Sequence, residues 1–174
     1  MFGKKFYYDD PEGDALAKET SHPKFVENMT AEFYYDCTYD FSPFGNDHGA
    51  DLLFNLEEFY QETKGKGILK WLFNTIDEYG FKYTSEDCSK ILDEPTIKQL
   101  QNEDPHFINC MNNTIIAAAF GQIKISGEVD NELKDLARTA IQRQLVLNRQ
   151  YNHESVKEHN DNLNIMLHDL NKIK

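Results

Sequence analysis

The densest collection of potentially reactive side chains is Ser42-Pro43-Phe44-Gly45-Asn46-Asp47-His48-Gly49-Ala50-Asp51. Asp47, His48 and Asp51 fall within one turn of a helix start, and oxygen and imidazole donors so spaced can hold a divalent ion that activates water at neutral pH. The same residues also read as structure. Asn46 or Asp47 caps the helix, Asp51 complements the positive end of its dipole, and Pro43 with Gly45 shapes the incoming turn. Because the spacing matches no established metal loop such as the EF-hand series, Asp47, His48 and Asp51 stand as the alternative metal set and the capping role ranks first.

Other chemistry finds less support. The histidines, at 22, 48, 106, 153, 159 and 168, form no HExxH, and His153 and His159 point about 120° apart on a continuous helix. Adjacent acids such as Asp9-Asp10, Glu57-Glu58 and Asp93-Glu94 read as solvated faces, since a general-acid pair needs convergence and one raised pKa. The sequence contains no Gly-x-Ser-x-Gly elbow and no phosphate-binding glycine loop, and Lys64-Gly65-Lys66-Gly67 is only a cationic turn. Cys37, Cys88 and Cys110 show no CxxC spacing and read as reduced, partly buried thiols. No catalytic residue and no cofactor are therefore expected.

Binding chemistry is better represented. Phe33, Tyr34, Tyr35, Tyr39, Phe41 and Phe44 stand among acids; core packing is the first reading of such a group, and a protein interface the second. The formal net charge is −12, and residues 1–62 carry 14 acidic against 4 basic side chains. That balance argues against nucleic acid, whose phosphates demand a basic surface, and is compatible with a partner protein that presents one. Arg138, Arg143 and Arg149 could hold an anionic group or form ion pairs; pairing is the expectation.

The scaffold for these residues is helical almost throughout. With 174 residues, 40% of them hydrophobic, the chain suits one domain with its own core. Ser21 and Pro23 open a helix through Tyr34, and residues 36–47 form an ordered loop with its aromatics pinned to the core. Leu52, Leu53, Leu56, Phe59 and Tyr60 stripe one helix, and Ile68, Leu69, Leu72, Phe73 and Ile76 a second that pairs with it as a hairpin. Thr84-x-x-Asp87 opens a short helix to Asp93, and Pro95 another. Asp104-Pro105 starts a segment, apolar on all sides across 115–120, that reads as the central buried helix and stops at Ser126-Gly127. Residues 129–148 form a one-faced helix and 154–173 a final one. The predicted fold is all-α, an orthogonal or irregular bundle of about six to eight helices in one domain spanning 1–174, with residues 1–10 frayed. The apolar run 115–120 is far short of the roughly 20 residues that cross a bilayer, so a cytoplasmic protein without membrane association is expected.

The run at 42–51, followed by Leu52-Leu53, resembles the YfeS-like family of uncharacterised bacterial proteins. Ser21-His22-Pro23, Ala119-Phe120-Gly121-Gln122-Ile123-Lys124 and Arg143-Gln144 extend the resemblance to about residues 20–147. Some members are associated with a WGR module linked to nucleic acids, but the only tryptophan here lies in Lys70-Trp71-Leu72 and no Trp-Gly-Arg occurs. The family implies no catalytic residues. The combined expectation is a non-catalytic module that binds another protein in an adaptor or immunity-like role. Its contact surface is expected at Tyr34, Tyr35, Asp36, Tyr39, Asp40, Asn46, Asp47, His48 and Asp51. The alternatives are a metal-assisted hydrolase at 46–51 and a homo-oligomer built on the 129–145 stripe.

Overall fold

A computed structural model describes residues 4–13 and 15–173, and every regular element among them is helical. In chain order these are α1 (Pro23–Asn28), α2 (Asp47–Thr63), α3 (Ile68–Asp77), α4 (Ser85–Cys88), α5 (Glu94–Glu103), α6 (Pro105–Ser126), α7 (Asn131–Asn148) and α8 (Glu154–Lys172), with 3-10 turns at Lys18–Thr20 and Glu32–Tyr35. The all-α expectation holds.

The apolar run becomes the axis. Asp104 caps α6 by accepting from the Phe107 N–H at 3.0 Å, and Pro105 occupies the first turn, where its missing N–H costs nothing. Every residue from 114 to 126 is buried. A helix surrounded in this way must be sheathed by others, and α2 and α7 pack along it while α1, α3 and α5 also touch it. Small residues allow the close approach: at Gly121 an added Cβ would lie 2.7 Å from Leu56 Cδ2 of α2. The one-faced stripe of α7 is consumed inside the chain, with Leu133, Leu136, Ala137, Ala140 and Ile141 buried between α6 and α8. The homo-oligomer reading thus loses the face on which it rested.

Several local expectations need correction. The first helix ends at Asn28 instead of reaching Tyr34. The Asn28 amide bonds back to the Lys24 carbonyl at 2.8 Å, a local alternative that competes with helix propagation. Met29 then leaves helical geometry and is fully buried, and the following 3-10 turn carries Tyr34 into the core. His22, not Ser21, supplies the cap, its Nδ1 accepting from the Lys24 N–H at 3.1 Å. The short helix from Thr84 stops at Cys88. Helices α2 and α3 each run against α6 instead of forming a hairpin, although Phe59 stacks on Trp71 with ring centroids 4.7 Å apart. Cys37 is exposed, whereas Cys88 and Cys110 are buried.

Fraying of residues 1–10 is also corrected for the part described; residues 1–3 lie outside it. The Tyr7 N–H donates to the Ile125 carbonyl at 2.9 Å, Lys4 pairs with Glu128, and Phe6 and Tyr8 pack on the core. The arm spans the C-terminal end of α6.

Candidate functional site

The 42–51 motif is built first as a joint. Ser42, Pro43 and Phe44 are buried. Asn46 Oδ1 accepts from the Gly49 N–H at 3.0 Å and caps α2, while Asn46 Nδ2 holds the Ser42 carbonyl at 3.2 Å. Gly49 is required by proximity, because a Cβ there would sit 2.1 Å from the Pro43 carbonyl oxygen. The resulting loop has two working sides, each forming one wall of a concavity.

The residues expected to form a contact surface divide accordingly. Tyr34 is fully buried, its hydroxyl donating to Asp169 Oδ2 at 3.1 Å, so it belongs to the core and not to a surface. Burial and the neighbouring Asp169 carboxylate push its phenol well above the usual range. Tyr35 is half-buried, edge-on to Phe25, and desolvation pushes its phenol up to about 12. Asp36 folds back on Thr38, accepting from its N–H at 2.8 Å and its hydroxyl at 2.7 Å; those bonds hold its carboxyl below the ordinary value. Tyr39 donates to Glu158 at 2.6 Å and accepts from Asn162 at 2.8 Å, tying the loop to α8. Asp47 and Asp51 are exposed, and His48 stands edge-on to Tyr79 with centroids 5.7 Å apart. Among the described residues no three His, Cys, Asp or Glu side chains converge as a metal set, so Asp47, His48 and Asp51 gain no partner for that role. Asp40 and Asn46 are brought into a site.

That site is a cleft of about 480 Å³ between the loop and helices α6, α7 and α8. Side-chain amides of Asn46, Asn109, Asn112, Asn113, Gln144 and Asn148 line it. Helical spacing explains their convergence: 109, 112 and 113 share one face of α6, and 144 and 148 one face of α7. Gln144 Nε2 donates to Asn113 Oδ1 at 2.6 Å across the two helices. Phe41 stacks on His159, with centroids 4.5 Å apart and planes 10° from parallel. Burial holds His159 down to about 4, so the ring is neutral at pH 7. Among the lining residues Asp40 is the one acid, and no lysine or arginine is present. Such a lining offers directed hydrogen bonds more than charge.

Behind the cleft lies a feature that residue types alone did not reveal. Arg143 of α7 is fully buried and Asn112 is 1% exposed. Arg143 Nε donates to Asn112 Oδ1 at 2.8 Å, and Nη1 to the carbonyls of Ser89 and of Ile91, the latter at 3.2 Å. No carboxylate pairs with this guanidinium among the described residues. Burial lowers its pKa to about 10, which leaves it charged at neutral pH. The other two arginines meet the pairing expectation, Arg138 with Asp135 and Arg149 with Glu94.

On the other side of the loop, Leu16, Phe44, Leu53 and Phe54 line a groove of about 430 Å³, with Asp9, Asp10 and Glu57 as its charged members. Phe54 is 66% exposed. One wall is the N-terminal arm, and its anchor is an ion cluster. Lys124 of α6 has a fully buried side chain and pairs with Asp9 at 2.9 Å and Glu57 at 3.3 Å. Glu57 also accepts from the Asp9 N–H, and Asp9 accepts from the Leu16 N–H and the Thr20 hydroxyl. Burial raises the Glu57 pKa, and the Lys124 charge works against that rise.

Fold and concavities define an all-helical protein organised around one buried helix, with a loop lying between two concavities. The sequence places it in the YfeS-like family of uncharacterised bacterial proteins. It is 34% identical over 143 residues to "Uncharacterized protein YfeS" of Escherichia coli (strain K12), a match covering 82% of this chain. The matched segment is 57% of that relative's length. No family model matches the chain, and no solved structure matches it. Among the described residues no helix is long and apolar enough to cross a membrane.

Proposed function

We propose that this protein is a binding module that takes up a segment of another protein in the groove beneath its N-terminal arm. The observation that carries the reading is Phe54, a large aromatic 66% exposed beside an apolar groove. Its lining runs from residue 9 to residue 57, inside the part of the chain with 14 acidic and 4 basic side chains. An apolar floor within an acidic surround suits an amphipathic segment whose apolar anchor is flanked by lysine or arginine. The anchor supplies most of the affinity, and the charges supply orientation and encounter rate. Relative to the sequence-derived surface, the contact moves from the tyrosines at 34 and 35 to Phe44, Leu53 and Phe54.

Cys37 lines the groove and is exposed while the other thiols are buried, so a dye placed there reports occupancy. Synthetic amphipathic peptides carrying basic, neutral or acidic flanks are titrated against the labelled protein. Basic peptides are expected to bind best and to weaken with salt. Phe54→Asp is expected to cost about 2 kcal/mol, roughly thirtyfold in affinity, with unchanged helicity. Equal binding by all three peptide classes, or by the variant, would refute the reading.

A further inference from the structure

The Arg143–Asn112 pair is chemically incomplete in a directed way. Arginine only donates, so the Asn112 carboxamide must turn its oxygen toward Nε, and Nδ2 is left as a donor on the other branch. Both Nδ2 and Arg143 Nη2 are buried and have no hydrogen-bond partner among the described residues. Nε and Nη2 together form the edge of a guanidinium that a carboxylate engages with two parallel bonds. Here an amide fills half of that edge, and among the described residues the full positive charge has no counter-ion beside it.

Asn112 also lines the amide cleft, so its unpartnered donor belongs to a residue that a bound molecule can meet. We propose that the cleft is a binding site for a small organic acid, whose carboxylate accepts from Asn112 Nδ2 and is attracted by the Arg143 charge behind it. The site lies across the loop from the apolar groove and is independent of the peptide reading. The remaining lining fits such a ligand. Its volume of about 480 Å³ falls within the usual range for small-molecule sites. Asn109, Asn113 and Gln144 can bond to polar substituents, and Phe41, Leu147 and Tyr151 offer apolar surface to the body of the molecule. With no lysine or arginine in the lining itself and Asp40 on the loop wall, one buried guanidinium suits a monoanion and not a phosphate or other dianion. Arg143 acts through Asn112 and is a positioning residue.

The test compares small monocarboxylates with their neutral carboxamides, for example benzoate with benzamide and propionate with propionamide, by calorimetry and ligand-observed NMR on the full chain. Carboxylates are expected to bind at least about tenfold more tightly than the matched amides, the scale of one charge-assisted hydrogen bond. Asn112→Asp gives the decisive readout because it removes the donor and sets a carboxylate beside the guanidinium. Its melting midpoint is expected to rise while carboxylate binding falls at least tenfold. Asp40→Asn changes an exposed side chain and is expected to tighten carboxylates by about two- to fivefold through loss of a like charge, with no effect on the amides. The proposal is overturned if neither ligand class binds, if carboxylates and amides bind alike, or if carboxylate affinity is unchanged in Asp40→Asn. It is equally overturned by an Asn112→Asp protein that folds and binds carboxylates as the wild type does. Buried water would then be the sole partner of these donors.

Discussion

Replacing Lys124 by methionine is the most searching test of how the arm is held. The lysine side chain is fully buried, whereas those of Asp9 and Glu57 retain 19% and 14% of their exposure. Methionine preserves the apolar stem and deletes the charge, leaving two carboxylates facing each other. Breaking a buried pair by removing one member costs about 3–5 kcal/mol. Residual solvation of the acids, and the bonds that Asp9 keeps with Leu16 and Thr20, place this case near the lower end, about 3 kcal/mol at pH 7.5. For a chain of this size that corresponds to a fall of about 6–12 °C in Tm.

The deficit also has a sign with pH. Burial already raises the Glu57 pKa, and without Lys124 its main downward influence is gone. A carboxyl whose folded pKa lies above its unfolded value favours the folded state below the unfolded pKa and loses that contribution as pH rises through the folded one. The difference between Lys124→Met and wild type should therefore shrink from pH 7.5 to pH 5, and adding Glu57→Gln should recover part of it at pH 7.5. Urea denaturation at the two pH values measures both effects, and hydrogen exchange at the Tyr7 amide reports whether the arm detaches first. A loss below 1 kcal/mol, or a deficit that does not vary with pH, would show that this cluster does not anchor the arm.

Three further outcomes follow from the loop and its supports. His159 is held at about 4 against an ordinary 6.5, so its contribution is complete above pH 6.5 and is lost as pH falls toward 4; stability should drop by roughly 1–2 kcal/mol between pH 7 and 5, and His159→Phe should flatten that slope in urea titrations. Gly49→Ala drives a Cβ into the Pro43 carbonyl, and overpacking with disturbance of the Asn46 cap is expected to cost about 2–4 kcal/mol by thermal denaturation. Tyr34→Phe removes a buried donor to the Asp169 carboxylate, which keeps Lys172 at 2.7 Å; a loss of about 1–2 kcal/mol is expected, measured as a shift in urea midpoint.

Much of the framework was legible because its signals are local. Asp104-Pro105 and Asn46 announce helix starts by hydrogen-bonding rules that act within three residues, and the all-round apolar character of 115–120 identifies the helix that others must cover. What was not legible depended on long-range placement. Lys124 reads as one polar residue between Ile123 and Ile125, and only the fold brings Asp9 from the far end of the chain to neutralise it. By residue type Arg143 is one of three similar arginines expected to form ion pairs, and the 89–91 segment whose carbonyls it meets is remote in sequence. The amide cleft did leave a trace, since Asn109, Asn112 and Asn113 share a helix face just before the apolar run. Asparagine is too common on exposed helices for that trace to stand out until Gln144 and Asn148 arrive opposite.

The loop at 36–47 is a wall shared by two cavities, with Phe41 turned into one and Phe44 into the other. Thermodynamic linkage then governs any pair of occupants. If filling the cleft shifts the loop's preferred position, it alters affinity in the groove by some factor, and filling the groove must alter affinity in the cleft by that same factor. With both proposed occupants bound, such a shared wall would make the two surfaces terms of one binding polynomial, and measuring either site with the other saturated would yield the coupling from both directions.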